Sequence, residues 1–118
     1  MSTREKIIYD SVSEIQTIIE KSIKYELSNE VMDTIRNLLD KDYLEENKTY
    51  EDRLYSAGCF GGGVWDLLYN FTEYKPLLIL NYEEYKNNTC ISPVIASFPH
   101  SLLNKLCEET FHKLNDLE

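Results

Sequence analysis

The sequence predicts an α+β domain, and three observations lead to that fold class. The first 39 residues place apolar side chains three or four positions apart, the spacing of a buried helix face. Residues 77–80 form a short apolar run between Pro76 and Asn81, which is typical of a buried strand. Residues 90–96 are expected to return antiparallel to it, although Pro93 confines them to a sheet edge or a bulge. We therefore expect an N-terminal helical hairpin, further short helices, a small antiparallel β-hairpin and a C-terminal amphipathic helix.

Two antiparallel helices are predicted at the N-terminus. The stripe of the first helix consists of Ile8, Val12, Ile15, Ile19, Ile23 and Leu27. Ser28 is a suitable N-cap for a second helix after a very short turn. The apolar positions of that helix are Val31, Ile35, Leu38 and Leu39. The short turn makes an antiparallel helical hairpin the expected arrangement.

Three more helices are expected downstream. Thr49 followed by Asp52 resembles a capping box and predicts a short helix from residue 50 to just before Gly58. Residues 64–71 show helical spacing, and Pro76 is expected to close that segment. The final helix follows Pro99 and is expected to cover one face of the hairpin. Its inward positions are Leu103, Leu106, Cys107, Thr110, Phe111, Leu114 and Leu117.

Composition indicates that residues 1–118 form a single globular domain, because 42% of the residues are hydrophobic and no linker divides the chain. No stretch approaches the length of a membrane span, and the first residues lack the apolar core of a signal peptide. The three cysteines are widely spaced without a CxxC pair, which favours reduced thiols. We therefore expect a cytoplasmic protein.

The formal net charge is −9, from 21 acidic and 12 basic residues. This disfavours nucleic acid as a partner, because binding to phosphates depends on Lys and Arg. Residues 28–57 contain eight acidic and four basic residues, and so hold −4 of the −9. Acidic groups steer association with a basic partner, and tyrosine supplies rigid contact area with a polar tip. A solvated face that maintains solubility is the alternative explanation.

Two patches are the predicted partner-binding surface. The first patch consists of Asp40, Asp42, Tyr43, Glu45, Glu46, Tyr50, Glu51 and Asp52. The second lies at the tip of the predicted β-hairpin and consists of Tyr82, Glu83, Glu84 and Tyr85. We expect no membrane or small-molecule partner.

No cofactor or metal site is expected. The four glycines lie between residues 58 and 63, but the chain lacks the Lys and hydroxyl residue of a P-loop. We interpret the cluster as a loop with unusual dihedral angles or a close backbone approach that admits Phe60 and Trp65 to the core. The acidic residues near 40–46 lack the glycine of a calcium loop, and His100 and His112 are too far apart to share a helix face.

In size, acidity, reduced cysteines and lack of a catalytic signature, the chain resembles the immunity proteins of bacterial toxin systems, such as those paired with contact-dependent inhibition toxins or nuclease bacteriocins. The resemblance is one of general type and involves no shared motif. It implies an inhibitor that covers the positively charged cleft of a nuclease toxin. A phage-encoded inhibitor of a host defence nuclease would use the same physics, and the neighbouring reading frame would distinguish the two.

A small cysteine-dependent enzyme is the alternative of another class. Cys59 lies a few residues before a predicted helix, where the helix N-terminus lowers a thiol pKa. His100 and Asp66 would then serve as the base and the orienting acid. A cleft at residues 58–66 that also holds His100 would support this hypothesis. Without such a cleft, we expect the protein not to be an enzyme.

Overall fold

The computed structural model describes residues 2–45, 48–79 and 98–117, and within them the regular secondary structure is entirely helical. Helices contain 78% of these residues. In chain order the elements are α1 (Thr3–Ile23), α2 (Asn29–Asn37), a π-helical segment (Leu38–Tyr43), α3 (Tyr50–Ala57), α4 (Phe60–Tyr69), a helical turn at 75–79 and α5 (His100–Asn115). None of the helices in the described ranges is long and apolar enough to cross a bilayer.

The predicted N-terminal hairpin is confirmed. The apolar stripe of α1 is buried through Ile23, and Leu27 is buried in the turn that follows. The Ser28 hydroxyl accepts a hydrogen bond from the backbone N–H of Val31 at 3.2 Å, and so caps α2 as expected. Arg4 at the start of α1 pairs with Asp40, just beyond the end of α2, at 2.9 Å. The two helices therefore run antiparallel.

The C-terminal helix is also confirmed, and it lies against α1, α3 and α4. Its inward face is buried from Leu103 to Leu114, whereas Leu117 lies beyond its end and is 52% exposed. A buried hydrogen bond of 2.6 Å joins the hydroxyl groups of Ser11 on α1 and Thr110 on α5. The helix thus covers one face of the hairpin.

The α+β fold class is wrong, because the described residues form an all-helical fold. Residues 77–79, predicted to begin a strand, continue a helical turn in which the backbone N–H groups of Leu77 and Leu78 both donate to the carbonyl of Tyr74. Pro76 lies in the first turn of this helical stretch, where proline loses no helical hydrogen bond. A short apolar run does not distinguish a buried strand from a buried helical segment. The return segment, 90–96, lies outside the described residues.

The glycine cluster forms the end of α3 and the first turn of α4, so the expected loop is wrong. None of the four glycines has a positive φ. The expected close approach is confirmed, because the first turn of α4 packs directly against the start of α5. Phe60 is fully buried and Trp65 is half-buried, stacked on Tyr69 with ring centroids 4.8 Å apart. Glycine here serves helix packing.

Candidate partner-binding surface

The first part of the predicted acidic patch lies in the π-helical segment. That segment ends with a hydrogen bond of 2.9 Å from the Leu44 N–H to the Leu39 carbonyl. Asp40 is half-buried and forms an ion pair with Arg4. Tyr43 is half-buried too, with its ring edge-on to Phe60 at 5.3 Å. Asp40 and Tyr43 therefore support the fold. The Asp42 side chain and Glu46 lie outside the described part of the structure.

The second part of the patch belongs to α3 and its approach. Tyr50 packs on Phe111 with ring centroids 5.0 Å apart and keeps 45% of its surface exposed. Glu45, Glu51 and Asp52 are exposed. Tyr55, which the predicted site did not include, is 78% exposed on the same helix. We call Glu51, Asp52 and Tyr55 the α3 surface. The second predicted patch, Tyr82, Glu83, Glu84 and Tyr85, lies outside the described residues.

A concave surface lies at the other end of the helical hairpin, around the turn from α1 to α2. It is an open cavity of about 650 Å³ to which residues 73–74 contribute a second wall. We call it the turn basin. Its charged and aromatic lining residues are Glu20, Lys24, Tyr25, Glu26, Glu73 and Tyr74. Lys24 ends α1 in the left-handed conformation, with φ of 57°, and so turns the chain out of the helix at the basin's edge.

Hydrogen bonds hold the walls of the turn basin in place. The Glu20 carboxylate accepts from the backbone N–H of Leu27 at 2.7 Å. The Tyr74 hydroxyl accepts from the Ser28 N–H at 2.7 Å and donates to the Glu26 carbonyl at 3.2 Å. Because Tyr74 is only 1% exposed, these bonds tie the turn to the rest of the core. These hydrogen bonds thus fix the shape of the basin wall.

The turn basin is acidic. Its lining includes three carboxylates and one lysine, which together have a net charge of −2. Tyr25 donates to Glu73 at 2.9 Å, and this hydrogen bond, together with the carboxylate charge, raises the pKa of the phenol. The described residues include no group of three His, Cys, Asp or Glu side chains that could hold a metal ion. Carboxylates beside the exposed ring of Tyr25 are groups that attract an organic cation, such as a lysine or arginine side chain.

Comparison of the chain with protein-family models, with curated proteins and with solved structures finds no match. One local signal for the basin was available in the sequence: Lys-Tyr-Glu at residues 24–26 directly follows a helix. The sequence did not indicate that Glu73 lines the basin, because its place there depends on contact between segments almost 50 residues apart.

Two residues of the cysteine-enzyme hypothesis, Cys59 and His100, lie near the starts of α4 and α5, whereas Asp66 is exposed in the second half of α4. Cys59 is exposed with a free thiol, and its side chain makes no capping hydrogen bond to α4. A Cβ added to Gly61 would lie 2.5 Å from the His100 carbonyl oxygen, so the two backbones are in direct contact. In the described part of the chain, the Gly61 and His100 backbones are packed together where the hypothesis places a cleft. The exposure of Cys59 near a helix start is the support that remains for the enzyme hypothesis.

Proposed function

We propose that this protein binds and neutralises a basic protein, and that the turn basin receives a basic side chain of that partner. The observation that carries the proposal is the grouping of three carboxylates and the exposed ring of Tyr25 around an open cavity of about 650 Å³. Carboxylates attract a cation and steer its approach, and a tyrosine face adds a cation–π contact. Because hydrogen bonds already hold Glu20, Glu73 and Tyr74, binding requires little ordering of this wall.

The biological setting that this chemistry supports best is an immunity-type inhibitor of a bacterial nuclease toxin. A nuclease carries basic residues for phosphate, and the net charge of −9 complements such a surface. A phage-encoded inhibitor of a host defence nuclease remains the alternative setting. As part of the same proposal we assign the protein to the cytoplasm, because the free thiols of Cys59 and Cys107 suit a reducing compartment.

Co-expression with the product of the adjacent reading frame tests the function. We expect a complex that survives purification, and we expect the partner's cleavage of RNA or DNA to stop when the complex forms. A neighbouring protein that neither binds this chain nor cleaves nucleic acid would contradict the toxin assignment.

Charge reversal tests the interface separately. Glu26→Lys with Glu73→Lys changes the charge by +4 on exposed side chains of the basin, and we expect the complex to weaken at least about tenfold. Asp10→Lys with Glu14→Lys is the matched control, since both residues are exposed on α1 and Glu14 lies roughly 15 Å along the helix from Lys24.

The contrast between the two double variants isolates the basin from the overall charge. Equal weakening of both variants would show that net charge alone drives binding, and would refute the basin. Glu51→Lys with Tyr55→Ala on the α3 surface completes the comparison. If that variant alone abolishes binding, the interface is the α3 surface and the basin assignment is wrong.

A further inference from the structure

Arg53 on α3 is the one buried charged side chain among the described residues, with 8% of its surface exposed. Its Nε atom is buried and has no hydrogen-bond partner. The guanidinium lies over the Phe111 ring, with Cζ 5.0 Å from the ring centroid. This contact covers a face of the guanidinium but accepts no N–H hydrogen bond in its plane.

The Arg53 Nε has no acceptor although acidic residues adjoin Arg53 in the sequence. Glu51 and Asp52 lie one and two positions before it, where helical geometry directs their side chains away. The positions that share a helix face with Arg53 are Thr49, Tyr50, Ser56 and Ala57. None of them is acidic. A buried guanidinium keeps its charge, and its burial is unfavourable unless an anionic group compensates it.

Two further hydrogen-bond donors gather around the same phenyl ring. Tyr50 lies 5.0 Å from Phe111 and His112 lies 5.2 Å from it, measured between ring centroids. Tyr50 is 45% exposed, and the side chain of His112 is 45% exposed. Glu108 is the acidic neighbour of this group, 3.9 Å from the His112 imidazole. The junction of α3 and α5 thus combines a buried cation with two accessible donors.

We propose that Arg53 and its neighbours at the α3–α5 junction bind an oxyanion, that is, a phosphate or carboxylate group. The planar guanidinium presents parallel N–H groups that match the oxygen spacing of both anions. The phenol of Tyr50 and the imidazole of His112 contact the same ring as Arg53 and are the exposed donors beside it. The site is independent of the turn basin and of a basic partner.

Titration of the folded protein with sodium phosphate and, separately, sodium acetate tests the site by NMR at constant ionic strength. The readout is the Nε–H cross-peak of each arginine, and the Arg53 peak is assigned by its disappearance in Arg53→Met. We expect a saturable shift of this peak and no such shift for Arg36, which is exposed and paired with Asp33. Saturation with phosphate alone identifies a phosphate ligand, and saturation with acetate as well identifies a carboxylate ligand.

Thermal unfolding supplies a second readout that does not depend on the peak assignment. Wild type and the control Arg36→Met are expected to gain midpoint temperature with the effective anion, whereas Arg53→Met loses that gain. If Arg53→Met does not fold, Arg53→Lys replaces it in this measurement. Lysine keeps the charge but lacks the planar guanidinium, so we expect a smaller gain in midpoint temperature than in the wild type. A linear drift shared by all arginine peaks, or an equal thermal gain in Arg53→Met, would overturn the proposal.

Discussion

Gly61→Ala is the sharpest test of how α4 packs on α5. A Cβ at this position would lie 2.5 Å from the His100 carbonyl oxygen and 2.7 Å from the His100 Cα, and both are backbone atoms that cannot rotate away. The Gly61 N–H also donates to the Asn104 side chain, which satisfies an amide at the start of α4 where Cys59 makes no side-chain cap. The substitution therefore strains a backbone contact and a tertiary cap together.

The expected change in the free energy of unfolding follows from three contributions. Replacing glycine by alanine inside a helix stabilises it by about 1 kcal/mol. Overpacking costs about 1–3 kcal/mol, and weakening the hydrogen bond to Asn104 costs about 1 kcal/mol more. Gly61→Ala should thus lose roughly 1–3 kcal/mol of stability. Gly62→Ala is the matched control, because an added Cβ there meets nothing within 4 Å and should gain about 0.5–1 kcal/mol.

Urea unfolding followed by circular dichroism measures the difference, which we expect to be about 1.5–4 kcal/mol between the two variants. Gly63→Ala should fall between them, because its Cβ would meet the hydroxyl of Tyr43, the far end of a side chain that can shift. Equal stability of Gly61→Ala and Gly62→Ala would refute the direct contact between the start of α4 and His100.

Two further predictions concern the turn and the thiols. Tyr74→Phe removes the hydroxyl that bonds Ser28 and Glu26, and should cost about 1–3 kcal/mol in urea unfolding; an unchanged stability would show that the turn is held by other contacts. Burial raises the pKa of Cys107 to about 12 from 9.0, so iodoacetamide should modify Cys59 in the native protein and Cys107 only after unfolding, as peptide mass mapping would show. Similar native labelling of both thiols would contradict the packing of α5.

The same shift implies a dependence of stability on pH. The folded pKa of Cys107 lies above the value of an exposed thiol, so its contribution to stability is complete below about pH 9 and is lost as the pH rises toward 12. Alkaline unfolding should therefore be shallower over this range in Cys107→Val. A profile identical to that of the wild type would show that other groups govern alkaline unfolding.

Local signals predicted the helices well. The bounds of α3 follow from Thr49, whose hydroxyl accepts from the Asp52 N–H at 3.1 Å, and from Gly58 at its end. Ser28 marked the start of α2 in the same way. Such caps involve residues three positions apart, so the sequence contains both partners. The apolar run at 77–79 misled the prediction because its helical turn starts from Tyr74, whose position depends on distant contacts.

The candidate site was predicted only in its chemistry. Acidic residues and tyrosines were expected to form the surface, but Asp40 and Tyr43 are engaged by Arg4 and Phe60 within the fold. Both contacts join segments well separated in the chain. Local charge therefore did not reveal which carboxylates remain available.

The positions of α1, α2, α3 and α5 follow from the sequence alone, because helical periodicity and capping depend on neighbours within about one turn. The acidic charge follows from it as well. Three other features became evident in the folded structure: the glycines allow the contact of α4 with α5, Glu73 joins Glu20 and Glu26 in one basin, and a buried Arg53 has no acceptor for its Nε. Each of these features arises between segments distant in the chain, where the packing of the whole core sets the distances.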